Sequence, residues 1–86
     1  MEGKIEMDAS ELIRGAKERV ADIEDLTAKK EYMKAYNLCT KTLVYLCLNE
    51  PDVVKTITDD EQEELNIVFG VVKGMSYILD TLTEDE

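Results

Sequence analysis

The chain has 86 residues, 20 acidic and 10 basic side chains and a net charge of −10. This length supports one small domain with a limited core, so self-association would be a natural source of additional stability. The negative charge argues against direct nucleic-acid binding and against an anionic membrane surface, because both depend on Lys and Arg.

The first predicted helix covers residues 9–26 and follows a stretch, 1–7, that we expect to be frayed. Asp8 and Glu11 have the spacing of a capping box, in which Asp8 accepts a hydrogen bond from an amide of the first turn. Beyond this cap, apolar residues recur at helical spacing and predict one buried face. They are Leu12, Ile13, Ala16, Val20 and Ile23.

The second predicted helix, residues 30–49, is the element around which we expect the others to pack. Residues 43–48 are apolar on every side, so this half of the helix needs neighbours on both flanks. Pro51 cannot continue a helix and predicts that this one ends before Glu50. The predicted buried stripe is Tyr32, Ala35, Tyr36, Cys39, Leu43, Leu46 and Cys47.

The third predicted helix covers residues 59–82, after a connector, 52–57, that could be a short helical turn or extended. Thr58 and Glu61 form a second capping box at its start. Three helices joined by short connections predict an all-α, up-down-up three-helix bundle in a single domain, 1–86, with a frayed polar tail at 83–86. The predicted seam of the third helix is Leu65, Val68, Val72, Met75, Leu79 and Leu82.

The two cysteines predict a reducing compartment. Cys39 and Cys47 are eight residues apart on one helix, about 12 Å, which is too far for a disulfide. We predict that both are buried and react slowly with thiol reagents. The start of the chain lacks the apolar segment of a signal peptide, and no stretch suggests a membrane span, so a cytoplasmic location is expected.

A sequence resemblance begins at the opening of the second helix, where Lys30-Glu31-Tyr32-Met33-Lys34-Ala35-Tyr36 follows an amphipathic helix. Over about residues 12–49 the chain resembles the archaeal domain of unknown function 357 family, which consists of short all-helical proteins. The Y-x-x-A opening is also similar to that of tetratricopeptide-type helix pairs. The first resemblance implies a helical fold and an archaeal source without an assigned activity. A tetratricopeptide groove would need several repeats.

Carboxylates are the side chains that suggest catalysis, because the chain has no histidine. Pairs of acids one turn apart can hold Mg²⁺ in helical nucleotide hydrolases. Here the pairs are expected at opposite ends of the bundle, so helix capping and surface charge explain them better. We predict no catalytic residue, no cofactor and no metal site, with a Mg²⁺-dependent enzyme as the alternative. The pairs are Asp60/Glu63, Glu61/Glu64 and Asp22/Asp25.

The functional hypothesis rests on surplus apolar surface on the second and third helices, which on the third helix includes two glycines outside its seam. The glycines could admit a side chain of the same chain, such as Tyr45 or the 52–57 connector, or let a second subunit's helix approach closely. We predict a non-enzymatic interaction module that forms a homo-oligomer or binds a protein partner. An acidic inhibitor that mimics nucleic acid for a basic protein is a further alternative. The candidate interface is Ile67, Gly70, Val71, Gly74, Tyr77, Ile78, Tyr45 and Leu48.

Overall fold

Three helices and no strand make up residues 8–84, the part of the chain that the computed structural model describes. They are α1 (Ala9–Ala28), α2 (Tyr32–Val53) and α3 (Asp59–Glu84). α2 packs against both other helices, and α1 and α3 touch each other less extensively. The predicted all-α, three-helix bundle is confirmed. The predicted frayed stretch 1–7 and residues 85–86 lie outside the described residues, while 83 and 84 extend α3 instead of forming a tail.

A tight C-terminal cap separates α1 from α2. α1 ends two residues later than predicted, and α2 begins two residues later. Lys30 has a φ of 64°, in the left-handed region. The N–H of Glu31 donates to the Leu26 carbonyl at 2.9 Å, and that of Lys30 to the Thr27 carbonyl at 3.0 Å. Together these bonds form a Schellman motif, which satisfies the last carbonyls of α1. A lysine occupies the position where glycine is usual, so the turn has no obvious marker in the sequence.

The end of α2 differs from the prediction, because Pro51 lies inside the last turn and the helix continues to Val53. Proline removes one helical hydrogen bond. Val53, however, is fully buried in the core, and its burial holds the extra turn in place. The N–H of Val54 then donates to the carbonyl of Glu50 at 3.0 Å and closes the helix. Residues 52–57 are thus the final part of α2 followed by a short connector.

Both predicted N-terminal caps are formed. The N–H of Glu11 donates to Asp8 Oδ1 at 2.8 Å at the start of α1. At the start of α3, the N–H of Thr58 donates to Glu61 Oε1 at 3.1 Å, and the N–H of Glu61 donates to Thr58 Oγ1 at 3.2 Å. The second cap is a complete capping box, in which the side chain of each residue accepts a hydrogen bond from the backbone N–H of the other.

The core faces of α1 and α3 lie where the apolar spacing predicts them. In α1, Val20 is only partly buried, while the other four predicted residues are buried. In α3, Met75 and Leu82 at the seam are partly buried and the other four are buried. The fully buried large side chains of the two helices are Leu12, Ile23, Leu65, Val72 and Leu79.

The stripe of α2 needs two corrections. Cys47 is exposed, and Thr42 is fully buried. The core side of α2 is centred on Cys39, Thr42 and Leu46, and Cys47 lies about 100° around the helix from Leu46. The Thr42 hydroxyl donates to the carbonyl of Leu38 at 2.7 Å, which removes most of the cost of burying it. Burial raises the pKa of the Cys39 thiol, so slow labelling is now expected of Cys39 alone.

Candidate interaction surface

The six α3 residues of the candidate interface all lie on the surface. Ile67 and Ile78 are each 61% exposed, and Tyr77 is 82% exposed. Val71, Gly70 and Gly74 are also exposed. Their exposure follows from the helical spacing, because the seam already occupies the side of α3 that faces α1 and α2. α3 therefore has two apolar sides: one is packed against α1 and α2, and the other is exposed.

Gly70 and Gly74 do not accommodate a side chain of the described part of the chain. A Cβ atom built at either position would have no neighbouring heavy atom within 4 Å, leaving aside each glycine's chain neighbours and nearby helix backbone. The explanation that Tyr45 or the 52–57 connector fills this space is therefore wrong for residues 8–84. Both glycines face open space on the outer side of α3.

Tyr45 lies against α1 instead. Its ring covers the guanidinium group of Arg19, 3.9 Å from the ring centroid. Its hydroxyl would lie only 2.5 Å from a Cβ atom at Gly15. Gly15 is thus the glycine that admits a bulky side chain, because it lets Tyr45 approach the α1 backbone closely. Tyr45 does not join the α3 part of the candidate interface.

This difference between the glycines leads to a stability prediction. Replacing Gly74 by alanine should raise the free energy of unfolding by up to about 1 kcal/mol, because alanine favours a helix and the site is open. The same change at Gly15 should give a smaller gain or a loss, since its Cβ would displace Tyr45. Urea unfolding of the two variants measures the difference. A larger gain at Gly15 than at Gly74 would contradict the described position of Tyr45.

The remaining candidate residues fall on two sides of α3. Gly74 and Tyr77 line a shallow hollow with Leu43 of α2. Leu48 lies on the outer side of α2 and is 71% exposed. Ile67, Val71 and Ile78 face the other way, toward α1. The structure therefore divides the candidate interface and brings only its aliphatic part together with α1.

An apolar groove runs between α1 and α3 and is formed by these aliphatic residues. In one part, Ile67 and Val71 lie beside Val20 of α1. One turn further along both helices, a second hollow of about 330 Å³ is open to solvent. Sequence reasoning identified the α3 wall and missed the α1 wall, whose small and polar side chains do not look like an interface. The second hollow is lined by Glu24, Thr27, Ala28, Met75, Ile78 and Leu79. We call these two hollows together the α1/α3 groove.

Acidic side chains are concentrated on the two helices that form this groove. α1 has five acids against three bases, and α3 has seven acids against one base, Lys73. α2 has two of each and is neutral. An ion pair between Lys17 and Glu64 lies at one end of the groove, and Glu24 lies in its wall. The charged side chains that line the groove itself are Glu24 and Lys17. The groove is thus an apolar surface with little net charge of its own, on a protein whose net charge is −10.

The predicted acid pairs do not converge on one place. Asp60/Glu63 and Glu61/Glu64 are in the first turns of α3, and Asp22/Asp25 are near the end of α1. Because α1 and α3 run in the same direction, these groups lie toward opposite ends of the bundle. Among residues 8–84, no three acidic or cysteine side chains are grouped so that they could hold a metal ion.

α3 requires a correction to the expectation that no stretch suggests a membrane span. Among the described residues, one helix, Asp59–Glu84, has the length and composition needed to cross a membrane. Its mean hydropathy is 1.3 over 18 residues. A core helix of a globular protein passes the same test, and this helix is packed against α1 and α2 along its seam. Its high hydropathy arises because α3 is apolar on its outer side as well.

Comparisons of the chain with protein-family models, with curated proteins and with solved structures found no match. The resemblance at residues 30–36 therefore stays a prediction, and any functional conclusion rests on the geometry of the chain itself.

Proposed function

We propose that this chain is a non-catalytic interaction module that associates with protein through the α1/α3 groove. The observation that carries the proposal is the exposure of Ile67, Val71 and Ile78 along one side of α3. Burying an aliphatic side chain of this size contributes about 1.5 to 3 kcal/mol. Contiguous exposed aliphatic surface is unusual on a small monomeric domain and is typical of association sites.

The spacing of these residues also supports association with a helix. Positions 67, 71 and 78 differ by four and seven, the spacing with which one helix presents a stripe to another. The small residue Ala28 in the α1 wall of the groove would let a neighbouring backbone come close. A helix seated in the groove would complete a four-helix arrangement and cover the outer side of α3.

The test compares three tagged proteins expressed in the native cell: wild type, Ile78→Lys and the control Met33→Lys. Met33 is about half exposed on α2 and does not line the groove. We expect wild type and the control to retain the same protein, either another protein or untagged copies of this chain, and Ile78→Lys to retain roughly tenfold less. Equal retention by all three proteins would contradict the proposal.

A further inference from the structure

The α1/α3 groove differs from an ordinary apolar surface in its length and in the strongly negative net charge of the protein to which it belongs. Ile67 and Ile78 are eleven residues apart, so the stripe is roughly 17 Å long, about three helical turns. The helices α1 and α3 together have twelve acids and four bases, counted from five and seven acids and three and one bases, while the groove itself is lined by one acid, Glu24, and one base, Lys17. These two properties restrict what can occupy the groove.

A second copy of this chain is a poor occupant. It would place one acidic α3 beside another acidic helix in either orientation, because α3 has acids in its first turns and again at Asp80 and Glu84. Each copy also has a net charge of −10. Like charges facing each other across an interface weaken association and slow the encounter of the two proteins.

We propose that the occupant is an amphipathic helix of another protein, with an apolar stripe flanked by Lys and Arg. This inference rests on the proposed function and specifies the class of partner. The stripe of the partner would contact Ile67, Val71 and Ile78. Its basic flanks would be attracted by the net charge of −10 and, at one end of the groove, by Glu24. About three to four turns would cover the groove, with apolar residues at spacings of three and four.

The geometry explains what each part of the complex contributes. Aliphatic contacts in the groove provide most of the affinity, since the stripe is desolvated on binding. The negative net charge of the protein speeds the encounter and selects basic partners, an effect that salt weakens. Glu24 is the acid in the groove wall and is therefore placed to contact a basic flank directly. A partner that recognised the acidic surface alone would need no apolar stripe.

The experiment measures binding of three labelled synthetic peptides of about 14 residues to the purified protein by fluorescence anisotropy. The first is an amphipathic helix with a Leu stripe and Lys flanks. The second has the same composition in an order that destroys the stripe, and the third keeps the stripe and replaces Lys with Glu. We expect the first peptide to bind roughly tenfold or more tightly than either control. We also expect Ile78→Lys to weaken its binding by a similar factor and Met33→Lys to leave it unchanged.

Each alternative gives a different result. Equal binding of the first two peptides would overturn the inference and indicate an acidic nucleic-acid mimic. Insertion of the wild-type protein, but not of Ile78→Lys, into neutral phosphatidylcholine vesicles would overturn the inference and indicate that the groove binds a membrane. A third possible result is a wild-type dimer that Ile78→Lys dissociates, together with no peptide binding. It would reject a basic helix of another protein as the partner and leave the proposed function unaffected. Retention in the native cell and peptide binding that are both unaffected by Ile78→Lys would overturn both proposals. Circular dichroism verifies that each variant is folded.

Discussion

Replacing Leu46 by alanine should lower the free energy of unfolding by about 2 to 5 kcal/mol, the usual cost of a cavity in a packed core. Leu46 is 1% exposed and belongs to the cluster in which residues of all three helices meet. A domain of this size has a total stability of the order of 5 to 10 kcal/mol. The variant should therefore be close to unfolding, which urea titration followed by circular dichroism measures. Leu43 is only partly buried, so its replacement by alanine should lower the free energy of unfolding by less.

The matched control for Leu46 is Leu48, two residues further along the same helix. Leu48 is 71% exposed, so its replacement by alanine should change stability by less than about 0.5 kcal/mol. Similar losses at the two positions would mean that the core side of α2 has been assigned wrongly. A loss of less than about 0.5 kcal/mol for Leu46→Ala would mean that α2 does not occupy the centre of the bundle.

The second large effect is expected at Leu79, next to the groove. Leu79 is buried in the cluster with Ile23, Ala35 and Cys39, and replacing it by alanine should also cost about 2 to 5 kcal/mol. Its neighbour Ile78 is 61% exposed, so Ile78→Ala should cost less than about 0.5 kcal/mol in the isolated protein. Urea unfolding of the two variants compares adjacent residues of the same size on one helix.

The same pair separates stability from association. Ile78→Ala should weaken partner binding although the fold is unaffected, because its side chain is free to contact another molecule. Leu79→Ala should act mainly through the fold. If Ile78→Ala unfolded the protein as strongly as Leu79→Ala, the outer side of α3 would be part of the core, and the groove would not exist.

The helices and most of their buried faces could be predicted because apolar spacing records which side of a helix is packed. Leu65, Val72 and Leu79 show this in α3, where the spacing and the burial agree. The spacing was less informative in α2, where apolar residues surround the helix and cannot all be buried. Cys47 was assigned to the core for this reason, and the buried Thr42 was missed because its hydroxyl is satisfied by its own helix.

The helix boundaries depended on interactions that local rules do not contain. Pro51 marked the end of α2 in the sequence, but burial of Val53 extends the helix past it. The turn before α2 uses Lys30 in a left-handed conformation without a glycine. In both places tertiary packing or capping outweighs the intrinsic preference of a single residue.

The candidate site was predictable only on its α3 side. The spacing of Ile67, Val71 and Ile78 shows that α3 has a second apolar side in addition to its seam. The position of Tyr45 beside Gly15 and the α1 wall of the groove depend on how the helices are rotated against each other. That rotation is decided by side-chain packing between helices, which no pattern within one helix records.

The most direct test of the groove as a protein-binding surface is photo-crosslinking in the native cell. A photoreactive amino acid replaces Ile78 in one protein and Met33, on the surface of α2, in the control. We expect crosslinks to a distinct protein from position 78, mapped to a basic amphipathic helix of that protein, and none to the same protein from position 33. Crosslinks to the same proteins from both positions, or none from position 78, would contradict the account.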